Sequence, residues 1–334
     1  MIRRASRSNT GAFAIATAIV LLSGTTEPAR AAEQWNFYMH QSAPNFATSR
    51  GARQFTEEID KATGGELKVR LHLAGTLQIN ASNISQAVGE NVVQMGDDLF
   101  NSGNIPVAGI PRLPMLVQSY EDFTKTNEVL KPYIEKQFGQ KGSTVLSSYT
   151  YPLQYAWGRK KIESLEDIKG LKLRVAQPEQ GEFVRRFGGT SITMSAPEVP
   201  SALDRGVVDG IFTAGVGAVL WKDQLKFGYQ LIVNVNNSYF IANTDAFKKL
   251  LPDLQGKLRK VAADAARWNQ ETMQKEEAES VQTLTGMGYT FTKAKPEEIK
   301  RAVDAMTPYW AEWAKSRGPE VIEALGKVRA AIGR

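Results

Sequence analysis

The chain has 334 residues, of which 42% are hydrophobic and 23% are charged, a composition typical of a globular protein with room for two domains. The absence of cysteine excludes disulfides and thiolate chemistry. The formal net charge is +6, but the first 31 residues hold four arginines and one glutamate, so 37 basic and 34 acidic residues remain beyond them. That balance does not indicate a nucleic-acid-binding protein.

The first 31 residues have the three parts of a secretory signal peptide. Three arginines stand within the first seven residues, an apolar run over residues 11–22 is too short to cross a bilayer comfortably, and residues 29–31 read Ala-Arg-Ala. We therefore expect cleavage after Ala31 and a periplasmic protein. The alternative is an uncleaved amino-terminal anchor. No later run is long and apolar enough for a membrane span, so no stable membrane insertion is expected after cleavage.

The segment after residue 31 alternates between strand and helix patterns. The sequence predicts strands over residues 34–40, 66–73, 92–95 and 144–149 and helices over residues 48–62, 84–88 and 121–138. Residues 102–114 are rich in glycine and proline and are predicted to form a loop. This order favours a parallel sheet covered by helices.

The same order then starts a second time. The sequence predicts strands over residues 171–175, 191–194 and 207–212, helices over residues 179–187 and 197–204, and returning strands over residues 232–235 and 239–242. Two series of this kind predict two α/β lobes with a cleft between them.

A long helix is predicted from Pro252, because neither glycine nor proline occurs between Lys257 and Thr285. At 1.5 Å per residue, this uninterrupted part reaches roughly 40–45 Å, so we expect the helix to brace both lobes. Its buried stripe is predicted at Leu254, Leu258, Val261, Ala265, Trp268 and Thr272.

Two further helices are predicted over residues 296–316 and 319–332. Trp310 and Trp313 stand three residues apart on the first of them, where large aromatic side chains usually pack into a core. We therefore expect them to serve packing rather than ligand contact.

Motifs of common enzyme classes are missing. The sequence has no G-x-S-x-G elbow, Walker A loop, H-E-x-x-H or C-x-x-C pattern. Of the two histidines, His72 belongs to the polar side of a strand, whereas His40 ends a strand and suits a cleft position or a surface position equally. Asp97 and Asp98 are neighbours on a strand and point to opposite faces, which disfavours a shared proton and leaves Asp97 as a hydrogen-bond acceptor. We expect no catalytic residues.

Residues 171–175 read LKLRV, a strict alternation of apolar and polar residues. The alternation predicts a half-buried strand with Lys172 and Arg174 on its polar side. From the pattern alone Arg174 faces solvent, as alternating polar residues usually do. The other interpretation is that Arg174 faces a carboxylate that is not part of the chain.

Residues 164–213 resemble the solute-binding proteins of TRAP transporters, the DctP-like family. The shared pattern is a GLK-hydrophobic-R strand, a helix that ends in a glycine turn, a strand with methionine, an "EV" helix and G-V-V-D-G. The matching residues are Gly170, Leu171, Lys172, Arg174, Gly188, Met194, Glu198, Val199, Ala202, Leu203, Gly206, Val207, Val208, Asp209 and Gly210. The similarity extends more loosely over the rest of the chain.

This resemblance implies an α/β, two-lobed periplasmic binding protein fold, type II-like, with crossing strands and a long bridging helix. The lobes are expected at residues 32–150 plus 240–279 and at residues 151–239 plus 280–334. The resemblance also implies a receptor rather than an enzyme, whose cleft closes on a small organic acid and which delivers the acid to TRAP permease subunits. In that family the strand arginine binds the ligand carboxylate, and it corresponds to Arg174. A planar guanidinium can bind a carboxylate through two parallel hydrogen bonds.

Departures from the family pattern bear on the ligand. Ala196 and Pro197 precede the "EV" helix where many members have an aromatic residue, Thr213 takes an asparagine position, and Gln154 stands near the place of a second basic residue. One arginine with Gln154 and Thr213 suits a monocarboxylate (a keto, hydroxy or aromatic acid) better than a dicarboxylate. A C4-dicarboxylate receptor, a receptor that feeds a sensor, and a secreted enzyme on the same scaffold are the alternatives.

Further candidate ligand contacts complete the predicted site. They are His40, Asp97 and Asn237, with Trp157 and Trp221 as apolar walls that suit the core equally well. No cofactor is expected. In some relatives a cation bridges a keto acid to the protein, and the resemblance leaves a bridging cation open.

Overall fold

The computed structural model describes residues 32–334, and the expected signal peptide lies outside them. The strands are β1 (Glu33–Met39), β2 (Leu67–His72), β3 (Met95–Asp98), β4 (Ser143–Thr150), β5 (Gln154–Gly158), β6 (Lys172–Val175), β7 (Thr190–Thr193), β8 (Gly210–Thr213), β9 (Phe227–Asn234), β10 (Asn237–Asn243) and β11 (Thr290–Lys293). The helices are α1 (Ala47–Ala62), α2 (Ile84–Gly89), α3 (Tyr120–Gln140), α4 (Pro178–Arg186), α5 (Val199–Asp204), α6 (Gly215–Ala218), α7 (Thr244–Lys249), α8 (Pro252–Gly286), α9 (Pro296–Lys315) and α10 (Pro319–Ile332). Within residues 32–334, no helix has both the length and the apolarity that a bilayer crossing requires.

Five strands form the first sheet, in the order β2-β1-β3-β10-β4. β1 runs parallel to β2 and β3, whereas β10 runs antiparallel to β3 and β4. Helix α1 covers this sheet through Phe55, whose ring stacks on Phe240 at 5.0 Å and meets Phe37 edge-on at 5.6 Å. The predicted β-α-β series is therefore present, and one antiparallel strand from later in the chain completes its sheet.

Six strands form the second sheet, in the order β11-β9-β5-β8-β6-β7. β6 is parallel to β7 and β8, and β5 is antiparallel to β8 and β9. Neither β5 nor β11 was predicted. β5 is buried at every position, so it lacks the polar–apolar alternation that marks a half-buried strand.

The chain crosses between the sheets at two adjacent places. β4 of the first sheet leads directly into β5 of the second, and β9 of the second leads directly into β10 of the first. The backbone N–H of Tyr151 donates to the carbonyl of Asn236 at 2.8 Å, so the two crossings are hydrogen-bonded to each other. The predicted two-lobed α/β fold with crossing strands is thereby confirmed, whereas the residue boundaries of the lobes stay a prediction.

Helix α8 has 35 residues and packs against α1, β4 and α6. Its buried residues are Leu254, Leu258, Ala262, Ala266, Asn269, Met273, Ser280 and Leu284. The predicted stripe is therefore right at Leu254 and Leu258 and wrong by one position from Val261 onward. The prediction alternated spacings of four and three, a 3.5-residue repeat, and such a repeat drifts off the buried face of a straight helix with 3.6 residues per turn.

Three predicted segments also needed correction. The strand predicted over residues 92–95 lies at Met95–Asp98, because the chain is still turning at Asn91, whose φ is 58°. The strand predicted over residues 207–212 begins only at Gly210. Asp209 before it is bonded to Lys172: its backbone N–H donates to the Lys172 carbonyl, and its carboxylate accepts from the Lys172 backbone N–H. The segment predicted as a loop over residues 102–114 instead forms short 3-10 turns that are mostly buried.

The last two helices close the structure around two tryptophans. Trp310 and Trp313 of α9 are both buried, and their indole N–H groups donate to the carbonyl of Pro114 at 2.8 Å and to a carboxylate oxygen of Glu179 at 3.3 Å. The expected packing role is confirmed. Helix α10 lies against α3, where Lys136 pairs with Glu320 at 2.6 Å. This contact joins a segment predicted for the second lobe to one predicted for the first.

Candidate functional site

A cavity of about 690 Å³ lies where strands of both sheets end. Its walls are formed by the carboxyl ends of β1, β6, β7 and β8, by the residues after β3, and by the crossing segments. This is the edge at which open α/β folds place their ligands. The walls therefore join residues that are far apart in the sequence.

Arg174 in β6 lines this cavity, although its exposed fraction is only 3%. Its Nε and Nη2 both donate to the carbonyl oxygen of Met194, at 3.0 and 2.9 Å, and Nη1 donates to the carbonyl of Phe212 at 3.4 Å. A guanidinium has five N–H groups, so one on each terminal nitrogen is left over. The backbone thus fixes the orientation of the guanidinium without using all of its donors.

The charge of Arg174 survives its burial. Burial lowers the pKa of Arg174 to about 10, and the nearby carboxylate of Glu198 opposes this shift. The guanidinium is therefore cationic at neutral pH. Glu198 itself is held by Ser195, whose hydroxyl and backbone N–H donate to it at 2.6 and 2.9 Å in a capping box before α5.

Gln154 and Thr213 line the same cavity at the ends of β5 and β8. The amide nitrogen of Gln154 donates to the carbonyl of Pro152 at 2.7 Å, which orients the side chain. Gly217 approaches Thr213 closely, since a Cβ on residue 217 would lie 2.2 Å from Oγ1 of Thr213. A larger residue at position 217 would therefore displace the threonine from its place in the wall.

The opposite wall includes His40 and Tyr151. Together with Asp97, Tyr149 and Ser238, which do not line the cavity, they form the His40 network. Nε2 of His40 lies 2.8 Å from the hydroxyl of Tyr151, and Nδ1 lies 3.1 Å from the carbonyl oxygen of Asp97. The Asp97 carboxylate accepts hydrogen bonds from Tyr149 at 2.7 Å and from Ser238 at 2.5 Å. Burial raises the pKa of Asp97, and His40 and both hydroxyls oppose that rise. The network therefore satisfies its polar groups mainly from within the protein.

Asp98 has a different set of neighbours from Asp97. It is fully buried beside the buried Arg112, whose Nη2 donates to the carbonyls of Leu99 and Asn237 at 2.6 and 2.9 Å. Burial raises the pKa of Asp98 to about 7, and the positive charge of Arg112 opposes this rise. The two adjacent aspartates thus belong to separate clusters and do not share a proton, as their alternation on a strand predicts.

Much of the remaining lining is apolar or aromatic. It includes Phe46, Ile79, Phe100, Met194, Leu220 and Trp221. Ala196 and Pro197, which replace an aromatic residue of the family pattern, also line the cavity. Apolar walls around a few oriented polar groups are typical of small-molecule sites.

Five of the eight residues predicted to contact a ligand are brought together in this cavity. They are His40, Gln154, Arg174, Thr213 and Trp221. His40 ends a predicted strand, and Arg174 and Thr213 belong to the motif region, whereas Gln154 and Trp221 stand outside both. They line one cavity because the chain crosses twice between the two sheets.

The other three predicted contacts lie behind the cavity walls. Asp97 has an exposed fraction of 0% and is committed to the His40 network. Trp157 is enclosed in the core and donates its indole N–H to the carbonyl of Thr213 at 3.0 Å. The side chain of Asn237 donates to the hydroxyl of Tyr239, also within the core. The prediction that these three residues contact the ligand is corrected: they do not line the cavity, and they support the residues that do.

Several cavity residues were not identified from the sequence. Tyr151 and Asn236 stand in the crossing segments, and Phe46 and Phe100 follow strands of the first sheet. Tyr151 could have been found, because it comes directly after the strand predicted to end at residue 149. The other three carry no motif, and only the folded chain shows that they face the same space.

The described residues offer little for a metal ion. Within residues 32–334, no group of three or more histidine, aspartate or glutamate side chains is placed to hold one. A bridging cation, left open by the sequence, would therefore need further oxygen atoms from the ligand, the backbone, or amide and hydroxyl side chains.

Comparison with known proteins places the chain in a family. Residues 38–316 match the family model of the bacterial extracellular solute-binding proteins, family 7, known as DctP. The sialic acid-binding periplasmic protein SiaP of Vibrio cholerae is 24% identical over 293 residues, which cover 82% of this chain and 86% of that protein. The chain belongs to the extracellular solute-binding protein family 7, as its strand-arginine motif predicted. Its relatives are solute-binding receptors rather than enzymes, in agreement with the expected role.

Solved structures share the fold. The extracytoplasmic solute receptor DctP7 of Bordetella pertussis, a receptor for pyroglutamic acid, aligns with a TM-score of 0.82 at 24% identity over 89% of this chain and 100% of that one. A TRAP solute-binding protein of Rhodoferax ferrireducens, crystallised with copurified benzoate, aligns with a TM-score of 0.80 at 18% identity over 90% and 97% of the two chains. These alignments support the two-lobed architecture.

Proposed function

We propose that this family 7 protein is a periplasmic receptor for a small monocarboxylate, a keto, hydroxy or aromatic acid, which it delivers to a TRAP-type membrane permease. The observation that carries the proposal is the geometry of Arg174. Its guanidinium is buried, charged and fixed by two backbone carbonyls, with two N–H groups left for an acceptor. A carboxylate is the small-molecule group that such a fork binds best.

The count of charges favours one carboxylate rather than two. Among the residues of the described chain that line the cavity, Arg174 is the only arginine or lysine, and Glu198 is the only acid. A second carboxylate of a ligand would therefore meet neutral groups or the negative Glu198. Placing an unpaired charge in a water-poor site is costly, so a dicarboxylate should bind less well than a monocarboxylate of similar size.

The ligands of the relatives agree with this charge count. Pyroglutamic acid, benzoate and sialic acid each have one carboxylate. TRAP receptors bind small organic acids and work with membrane permease components, so delivery to a permease is the role that follows. The tripartite start of the sequence supports export, and intact-mass analysis of the exported protein should show a chain that begins at Ala32.

Each predicted lobe contains all or nearly all of one of the two sheets, which supports the prediction that the lobes move as units when a ligand binds. If residues 32–150 plus 240–279 and residues 151–239 plus 280–334 close on the ligand, the crossing segments are the hinge. Small-angle scattering should then show a smaller radius of gyration when ligand is saturating. Identical scattering curves with and without ligand would contradict closure.

The proposal is tested by identifying what the protein binds. Mass spectrometry of small molecules that copurify with the protein comes first, followed by calorimetric titration with L-pyroglutamate, benzoate, 2-oxobutanoate and the dicarboxylate succinate. We expect at least one monocarboxylate to bind and succinate to bind more weakly. Preferential binding of succinate would support the dicarboxylate alternative, and chemical turnover of a bound acid would support the enzyme alternative.

Arg174→Ala gives a second arm to the same test. Removing one partner of a buried, hydrogen-bonded charge pair costs on the order of 2–5 kcal/mol, or roughly 30-fold to several-thousand-fold in affinity. The matched control is Arg205→Ala, since Arg205 is exposed and does not line the cavity. Affinity should fall in the first variant and stay unchanged in the second.

A further inference from the structure

Two adjacent glutamates of α8 reach toward different parts of the fold. Glu276 forms an ion pair with Arg50 of α1, which covers the first sheet. Glu277 reaches the second sheet and its α6, where it contacts Tyr155, Gly215 and Val216. Consecutive residues of an α-helix point about 100° apart. Two adjacent residues of α8 can therefore bind α1 and α6 from the same turn of the helix.

The contacts of Glu277 use both of its carboxylate oxygens. Oε1 accepts hydrogen bonds from the backbone N–H of Gly215 at 2.8 Å and from the hydroxyl of Tyr155 at 2.8 Å. Oε2 accepts from the backbone N–H of Val216 at 2.9 Å. Burial raises the pKa of Glu277, and the three donors oppose that rise. The carboxylate therefore takes two backbone N–H groups that the start of α6 would otherwise leave without an intrahelical partner.

The segment that Glu277 holds is part of the cavity wall. Thr213, Ala214, Val216 and Gly217 all line the cavity, and Thr213 pairs with Tyr155 across β8 and β5. Gly217 in turn packs against the side chain of Thr213. The carboxylate of Glu277 therefore lies directly behind the wall that faces the ligand, although Glu277 itself does not line the cavity.

We propose that Glu277 is a positioning residue for ligand binding, which fixes residues 213–217 to helix α8 so that Thr213 is in place when Arg174 holds the carboxylate. This inference rests on the proposed function. Because α8 also packs against α1 and β4, the wall is fixed relative to the first sheet as well. Glu277 thereby links ligand contact in one sheet to the helix that spans both.

The test compares Glu277→Gln with Glu276→Gln. Glutamine at 277 keeps one acceptor oxygen but presents an amide donor to a backbone N–H, so Gly215 or Val216 loses its acceptor. Glutamine at 276 loses only the charge of a partly exposed ion pair, for which a small effect is expected. The two substitutions are at adjacent positions, and both replace glutamate with glutamine. Glu276→Gln is therefore a matched control for Glu277→Gln.

Two readouts separate positioning from general stability. Hydrogen exchange in the ligand-free protein should be about tenfold faster at residues 213–218 in Glu277→Gln, and unchanged in Glu276→Gln. Affinity for L-pyroglutamate, whose ring has polar groups for Thr213, should fall about tenfold in Glu277→Gln, whereas affinity for benzoate, which has only its carboxylate, should fall less. A uniform loss of stability would not change the ratio of the two affinities.

The outcomes distinguish this inference from the proposed function. If the wild-type protein binds both probes and the ratio of their affinities is the same in Glu277→Gln, the role of Glu277 is overturned and the proposed function still stands. Unchanged exchange at residues 213–218 would do the same without any ligand. Failure of the wild-type protein to bind either probe or any other monocarboxylate would overturn the proposed function, and the role of Glu277 in ligand binding with it.

Discussion

The two walls of the cavity treat their polar groups differently. On the wall that follows β1, His40 is bonded to Tyr151, and behind that wall Asp97 is bonded to Tyr149 and Ser238, all from the protein itself. On the wall formed by β6 and β8, Arg174 gives only part of its hydrogen-bonding capacity to the backbone. Both groups include buried ionisable side chains. The protein itself supplies the partners of His40 and Asp97, whereas Arg174 keeps one N–H group on each terminal nitrogen for a ligand.

This difference shows how burial alone fails to identify a binding residue. Asp97 and Arg174 are almost equally buried and both lie near strand ends. What separates them is access to the cavity: Arg174 lines it and keeps one N–H group on each terminal nitrogen, whereas Asp97 does not line it. We infer that the first wall supplies shape and stability, whereas the second wall recognises the charge of the ligand.

Truncation of Asp97 should have the largest effect on stability. Asp97→Ala removes the acceptor of two buried hydroxyl groups and leaves a small void, so the free energy of unfolding should fall by about 2–4 kcal/mol. Urea unfolding monitored by tryptophan fluorescence measures this change. Asp60→Ala, at an exposed position of α1, serves as the control and should stay within about 0.5 kcal/mol of the wild-type protein.

The same variant tests the division between the walls. Because Asp97 does not line the cavity, the folded Asp97→Ala protein should bind its monocarboxylate within a few-fold of the wild-type affinity. A loss of affinity as large as that of Arg174→Ala, with little loss of stability, would reverse the assignment of the two walls.

Asp98 should give the protein a pH-dependent stability. Its pKa is raised to about 7 from an ordinary value of 3.8, so the folded state binds a proton that the unfolded state releases. The contribution of Asp98 to stability is thus fully present below about pH 4 and is lost as the pH rises toward 7. Between pH 5 and pH 8 the wild-type protein should lose about 2 kcal/mol more stability than Asp98→Asn. Parallel stability curves for the two proteins in urea would contradict the raised pKa.

The fold was largely readable from the sequence, and the failures have physical causes. The alternation of apolar and polar residues predicted the strand of Arg174. The same alternation predicted that the Arg174 side chain faces solvent, and only the family motif indicated a ligand. Strand β5 was missed because it is buried on both sides. For the same reason Trp157 lies in the core instead of the cavity. Glu277 gave no signal, because its backbone partners stand about sixty residues earlier in the chain.

Truncation of an aromatic residue on the first wall should have the smallest effect. Phe100 lines the cavity beside the ring of His40, with ring centroids 5.9 Å apart. Phe100→Ala should weaken binding of benzoate by about 1–2 kcal/mol, since less apolar surface leaves water on binding. The control is Leu251→Ala, which removes an exposed apolar side chain that does not line the cavity. Equal affinities of the Phe100→Ala and wild-type proteins would show that the first wall does not contact the ligand.

The most direct measurement of the central claim is a thermodynamic cycle on Arg174. The wild-type protein and Arg174→Ala are each titrated by calorimetry with the monocarboxylate that binds best and with its uncharged carboxamide. If the guanidinium binds the carboxylate, the wild-type protein prefers the acid over the amide by about 2–5 kcal/mol, and Arg174→Ala loses most of that preference. An equal preference for the acid in both proteins would contradict the account, because another group would then be recognising the charge.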